Sequence, residues 1–470
     1  MARIMSSYLF KRGILMNSRF TRLLQKFSSF ENRLDKLPNI INHGRLISIN
    51  GLVLEVIGLN IPIGSQCFIE RRIDNKYINI NAEVIGFSGR KTLLLSFEDI
   101  YGVFPGARVF AKIVSNKTNS IVQRIPLGMK LLGRILDGKG QPLDGLPKLD
   151  SKYYTPIKKE NSINPLNRKS ITEVLDTGIR AINGLLTIGR GQKIGIFSSS
   201  GIGKSILLGM MAKYTKADVI IIALIGERGR EVKDFIEKIL GVKGLSRSVV
   251  IAAPADVSPL LRIQAASYAT NVAEYFSRKN KHVLLIMDSL TRYAMAEREV
   301  SLSLGELPVS KGYPASIFSK ISNLVERIGI TDRNKGSITA FYTVLTEGED
   351  EQDPVSYLAR SVLDGHIILS RYYADLGHYP AIDIESSISR IMPDIVTSKQ
   401  YYQASYLKKM ISSYHRNRDL INVGAYISGT DLILDQAIKI WPKIEKFLQQ
   451  GMSEKSDFTL SCQQLNEMFL

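Results

Sequence analysis

The chain has 470 residues, 44% of them apolar and 23% charged, with 62 basic against 44 acidic side chains and a formal net charge of +18. That size supports two or three domains around a large core, and with no apolar run approaching roughly 18 residues it excludes a hydropathic membrane span. Two distant cysteines, Cys67 and Cys462, argue for a reducing compartment without a disulfide framework, and five histidines without ligand spacing argue against structural zinc.

The opening residues carry Arg3, Lys11 and Arg12 but no sustained apolar stretch, and do not read as a secretory signal. Phe20, Leu23, Leu24, Phe27 and Phe30 then recur at helical spacing with Arg22, Lys26 and Arg33 between them. This spacing predicts an amphipathic helix with a basic face, which either docks a partner helix or anionic membrane surface or packs on its own neighbouring domain. From 43 to 117 short β-rich pieces such as 52–57 and 91–97 alternate with glycines, the pattern of a small closed barrel. Residues 137–167, with Gly138, Gly140 and Pro142, read as loop before an alternating strand and helix core begins.

The core opens on its most specific signal. The apolar run 193–197 leads into Ser198, Ser199, Ser200, Gly201, Ile202, Gly203, Lys204 and Ser205, followed at once by the apolar start of a helix. A strand, a small-residue loop ending in Gly-Lys-Ser and a helix wrap backbone N–H groups around a nucleoside triphosphate, here ATP. Gly201 and Gly203 let the backbone approach phosphate oxygens, Lys204 supplies a point charge, and the Ser205 hydroxyl can ligate Mg²⁺. Ser198 stands where this motif usually begins with glycine.

Two further strands are expected to end at the same edge. The run 219–225 leads into Gly226, Glu227 and Arg228, and the run 283–287 ends in Asp288. At the C-terminal end of a parallel strand, Asp288 can hold Mg²⁺ through water, although it could equally cap a helix. Glu227 at that edge can orient and polarise the water that attacks the γ-phosphorus; the alternative is a solvated surface pair with Arg228.

These motifs, with residues 224–237, 287–296 and 378–385, resemble the ATPases of type III protein export, themselves similar to the catalytic subunits of rotary ATP synthases. The resemblance runs from about residue 20 to about residue 450, and residues 251–261 and 336–348 most resemble the flagellum-specific group. It implies an α/β fold: a RecA-like P-loop ATPase core of mostly parallel sheet flanked by helices, with an N-terminal β-barrel and a C-terminal helical domain. The expected boundaries are 1–43 for a helical docking arm, 44–118 for the barrel, 119–396 for the ATPase domain and 397–470 for the helical domain.

By the same resemblance Glu227 is the catalytic carboxylate, Arg228 and Arg292 reach the γ-phosphate, and Arg390 is inserted into a neighbouring subunit's site. From spacing alone Arg390 is also compatible with a plain surface charge. The implied assembly is a homo-oligomer, by family a hexamer. It would lie in the cytoplasm, peripherally associated with the inner membrane, and engage a regulatory stator-like protein through its N-terminal arm, together with export chaperone–cargo complexes and a membrane export gate. A virulence-associated secretion ATPase is the near alternative and a hexameric RNA or DNA translocase the distant one. The +18 charge would suit the latter or reflect a composition rich in Lys, Ile and Asn. Against a dedicated nucleic-acid role, the barrel aromatics Phe68, Tyr77, Phe87, Phe97, Tyr101 and Phe104 do not alternate with basic residues.

After residue 393 the pattern is helical, with Pro442 expected to end or kink a helix before Ile444, Phe447 and Leu448 resume the apolar stripe. Residues beyond Gly451 are too irregular to assign.

Overall fold

The computed structural model describes residues 43–74, 76–111, 124–150, 154–156, 165–330, 336–346 and 353–469, together with Leu23, Lys26, Phe27 and Phe30. Those four positions are helical, as the apolar spacing predicts, and exposed; Phe20, Arg22, Leu24 and Arg33 lie outside the described residues.

Six strands, β1 (His43–Asn50), β2 (Val53–Ile57), β3 (Gln66–Ile73), β4 (Lys76–Ser88), β5 (Lys91–Ser96) and β6 (Arg108–Ala111), close into a barrel in the order β1-β2-β5-β4-β3-β6. Closure comes from antiparallel pairing of β1 with β6, Gly44 opposite Val109, which leaves no free edge. Alternate residues such as Leu54, Val56, Ile69, Ile80, Val84 and Leu94 fill the interior.

The larger sheet has eight strands: β7 (Ile135–Leu136), β8 (Lys193–Ser198), β9 (Val219–Ile225), β10 (Ser248–Ala253), β11 (His282–Asp288), β12 (Ser337–Leu345), β13 (Gly365–Leu369) and β14 (Ile382–Ser389). Their order is β14-β13-β8-β12-β11-β9-β10-β7, parallel throughout except for the antiparallel edge strand β14. Helices cover both faces, so the strands are apolar on both sides, as buried parallel strands must be. Ile194, Ile196, Ile220, Ile222 and Ile286 pack beneath α1 (Lys204–Tyr214). Ile221, Ala223, Leu285, Met287 and Tyr342 pack on the opposite face. The helices there are α2 (Pro259–Arg278), α3 (Leu290–Ser303), α4 (Ala315–Glu326) and α5 (Pro354–Val362). In register, Ser198 pairs with Leu345 and Asp288 with Leu224, so the C-terminal ends of β8, β12, β11 and β9 form one edge.

The C-terminal helices α6 (Ser398–Asn422), α7 (Leu432–Leu448) and α8 (Phe458–Glu467) share the core of α1: Leu407, Ile444, Phe447 and Leu465 join Leu207, Leu208 and Met211. Two points that the sequence left open are decided here. Pro442 does not end α7, which runs on to Leu448; a proline costs one backbone hydrogen bond, and burial of Ile444, Phe447 and Leu448 just beyond it offsets that cost. The stretch past Gly451, left unassigned above, forms α8, whose N-cap Asp457 accepts from the Leu460 N–H at 2.9 Å. The loop reading of 137–167 is also incomplete, because Tyr154–Pro156 pairs with Arg124–Pro126.

The edge pairing has a direct test. A Cβ added at Gly365 would stand 2.5 Å from the Ile388 carbonyl oxygen across the β13–β14 pair. Gly365→Ala is therefore expected to destabilise the protein by about 1–3 kcal/mol, read as a lower urea midpoint. An unchanged midpoint would mean that the two strands are not packed this closely.

Candidate active site

The chain turns sharply between β8 and α1. Ser198 ends the strand, Ser199, Ser200, Gly201 and Ile202 make the turn, and Gly203 is the N-cap, at φ 87° with no side-chain cap. That left-handed conformation favours glycine, and the ring of Tyr379 lies 3.2 Å from where a Cβ would stand. Lys204 and Ser205 form the first turn of α1, where unpaired N–H groups and the helix dipole favour anions.

The three predicted strand ends converge. The Lys204 Nζ donates to Asp288 Oδ1 at 2.5 Å and to Glu227 Oε1 at 3.4 Å. Strand β12 lies between β8 and β11, which separates their ends by about 10 Å, so only a long side chain joins them. Burial opposes the charge on Lys204, but the two carboxylates outweigh it and raise its pKa. Glu227 is pushed up to about 7, first by burial and then by the charge of Asp288, with Lys204 pulling part of the way back. Asp288 is the last residue of β11, and Ser289 caps α3 by accepting the Arg292 N–H at 3.2 Å, so Asp288 is not a helix cap.

The arginines separate into three situations. Arg292 packs over Gly226, beside Glu227, close enough that a Cβ at 226 would lie 2.8 Å from the Arg292 Cβ. Its Nε is buried without a hydrogen-bond partner, as is the Ser198 hydroxyl at the start of the loop. Two orphaned groups flanking the cluster, with hard oxygen donors on Ser205 and Asp288, fit an acceptor-rich phosphate and a hard cation. Arg228 is not gathered into the cluster; it is exposed and pairs with Glu231 at 3.9 Å. Arg390 follows β14, and Ser389 pairs with Gly365 at the N-terminal end of β13, so Arg390 sits on the opposite edge of the sheet. Crossing from there to the phosphate loop means traversing β8, about 17 Å, well beyond an arginine's reach within one chain.

Two contacts at the site went unread in the sequence. The Thr343 hydroxyl donates to Asp288 Oδ1 at 2.6 Å, and is found only through the position of β12 between β8 and β11. Tyr379 borders an apolar crevice with Ile202, Ile206 and Met210. Its place in the 378–385 stretch was a signal, but a role emerges only from its contact with Gly203.

The sequence signature described as "ATP synthase alpha/beta family, nucleotide-binding domain" matches residues 178–389, and "T3SS EscN ATPase C-terminal domain" matches residues 396–467. A "Flagellum-specific ATP synthase" of Buchnera aphidicola from Acyrthosiphon pisum is 77% identical over the whole of both chains. Its namesake in Salmonella typhimurium is 55% identical over 97% of this chain and 99% of its own. Among solved structures, the assembled ATPase EscN of the enteropathogenic E. coli type III secretion system superposes with a TM-score of 0.83. That match has 39% identity and covers 91% of this chain and 100% of EscN. EscN in complex with its central stalk EscO superposes with a TM-score of 0.81.

The raised pKa of Glu227 carries a pH signature. Its folded value, about 7, lies above the ordinary 4.5, so its contribution to stability is fully present below pH 4.5 and lost as pH rises through 7. Glu227→Gln removes that loss. Measured by urea unfolding without nucleotide, the variant should gain on the parent by on the order of 1–3 kcal/mol across this range. A difference independent of pH would show that Glu227 is not buried beside Asp288.

Proposed function

Because the chain belongs to the flagellum-specific ATP synthase family and is an ATPase of flagellar type III protein export, we propose that it hydrolyses ATP at the Lys204–Glu227–Asp288 edge, with help from a neighbouring subunit. The observation that carries this reading is the Lys204 ammonium held between two carboxylates at the mouth of the phosphate loop. Virulence secretion is not favoured: relatives bearing the flagellar name reach 77% identity, against 39% for EscN. Membership of the family also disfavours the translocase.

In this mechanism residues 198–205 wrap the triphosphate and Lys204 faces its terminal oxygens. Ser205 and, through water, Asp288 would hold Mg²⁺, which would neutralise charge on the phosphate oxygens. Thr343 fixes the Asp288 carboxylate through Oδ1. Glu227, with a pKa near neutrality, orients the attacking water and accepts its proton. The bond from water oxygen to the γ-phosphorus forms as the bond to the β-phosphate oxygen breaks. Arg292 offers its unpaired Nε–H to the γ-phosphate. Arg228 joins after leaving Glu231, at little cost because an exposed pair of this length is weak. The half-exposed ring of Tyr379 offers a flat surface to the base.

Arg390, too far from its own loop, serves the site of the next subunit, which makes assembly part of catalysis. We assign a homohexamer and a regulatory partner on this ground and on the likeness to EscN, solved as an assembled ATPase and with its stalk. At the N-terminal arm, Leu23, Phe27 and Phe30 expose one helical face suited to a stator-like protein. Among the described residues no helix is long and apolar enough to cross a membrane, in keeping with peripheral association at the export gate, where chaperone–cargo complexes would be received.

Glu227→Gln should retain nucleotide binding, followed with a fluorescent ATP analogue, while turnover falls about 10²- to 10⁴-fold. Near-normal turnover would remove Glu227 from its role. Arg390→Ala and Lys204→Ala should each be inactive alone, and mixing them should restore part of the activity, because an intact arginine then faces an intact loop. Mixed oligomers that stay silent would refute the shared site.

A further inference from the structure

The segment after α7 returns to the phosphate-loop side of the sheet and carries a buried side chain with no role in the chemistry above. Gln450 is 5% exposed, and each polar atom of its amide is engaged. Its Oε1 accepts the Arg180 N–H at 2.7 Å, and its Nε2 donates to the carbonyls of Gly178 at 2.9 Å and Glu454 at 2.8 Å. Its own backbone N–H donates to the carbonyl of Tyr379 at 2.9 Å. The Arg180 guanidinium closes the knot by donating to the carbonyl of Lys446 at 2.9 Å and to the Glu454 carboxylate.

The two ends of this knot rest on the two ends of α1. Gly178 backs onto Tyr214, the last residue of that helix, and Tyr379 lays its ring on Gly203, just before the first. The apolar crevice of Ile202, Ile206, Met210 and Tyr379 is lined by Gln450 and Met452 as well. The place of the Tyr379 ring beside the phosphate loop therefore depends on where its backbone is tied, and its carbonyl is tied to the Gln450 N–H.

We propose that Gln450 is a positioning residue for nucleotide binding, holding Tyr379 at the distance from the phosphate loop that admits the base. This rests on the nucleotide-site reading above. Of the residues placed at the nucleotide site, the one Gln450 is hydrogen-bonded to is Tyr379, so Gln450 affects recognition of the base and leaves recognition of the phosphates untouched.

The test compares ATP with inorganic tripolyphosphate, which presents phosphates and no base. Gln450→Leu keeps the volume and the backbone N–H while removing the three side-chain bonds. KM for ATP should rise about tenfold with kcat changing far less, the mark of lost uniform binding. Competitive inhibition by tripolyphosphate should stay within about twofold. A parallel loss of ATP and tripolyphosphate affinity would show general collapse and overturn the proposal, as would an unchanged KM. If Gln450→Leu does not fold, Gln450→Glu retains the acceptor for Arg180 and loses the donors. KM for ATP should then rise about threefold, again without a change for tripolyphosphate, under the same overturning results. Lys204→Ala should lose both ligands; if it keeps them, the nucleotide-site reading fails and this proposal falls with it.

Discussion

One ammonium group organises the catalytic edge. Lys204 has to cross the end of β12 to reach Asp288 and Glu227 on the far side, and it is buried there only because two carboxylates receive it. A buried lysine without a partner would lose its proton, and two buried carboxylates without a lysine would repel each other. With one positive charge against two negative ones, the imbalance falls on Glu227, whose pKa is driven toward neutrality by burial and by Asp288. A carboxyl group poised between its two protonation states is what proton acceptance from water requires near neutral pH. The structural need to satisfy Lys204 and the tuning that the proposed mechanism asks of Glu227 are met by the same three side chains.

The sheet then divides the work between its two edges. The phosphate loop, Glu227 and Asp288 lie at the C-terminal ends of parallel strands, where ligands collect in open α/β sheets. The antiparallel return of β14 carries Arg390 to the other edge. A single chain thus keeps Arg390 apart from its own phosphate loop, which is why the proposed mechanism needs a neighbouring subunit. The C-terminal helices add a further constraint, because α6, α7 and α8 are packed into the same apolar cluster as α1. The helical unit and the nucleotide loop share one core, and the Arg180–Gln450–Glu454 knot fastens them on the polar side.

Legibility in the sequence followed the range of the interactions involved. The turn of residues 198–205 was readable because its geometry is local: glycines at 201 and 203 take positive φ values that few other residues adopt. Strands β8, β9 and β11 were readable because a strand buried on both faces becomes an uninterrupted apolar run. Thr343 was not, because nothing in 336–346 shows that β12 would be inserted between β8 and β11. Arg228 matched by position alone, and its pairing with Glu231 is an i,i+3 contact on the following short helix. At Pro442 the sequence left an end or a kink open, and it is the burial of residues two to six positions later that carries the helix on.

The amino-acid sequence by itself determined the elements and the chemistry carried on each strand end, since periodicity, turn residues and the Gly-Lys-Ser loop act over a few neighbouring positions. The tertiary structure alone decided which strand lies beside which, and through that which side chains meet. Sheet order is settled by packing between segments that are often far apart in the chain, as where β8 pairs with β12 across more than a hundred residues, and no local pattern encodes it. For that reason the direct hydrogen bond of Lys204 to Asp288, the seating of Tyr379 by Gln450 and the place of Arg390 on the far edge became visible only in the folded chain.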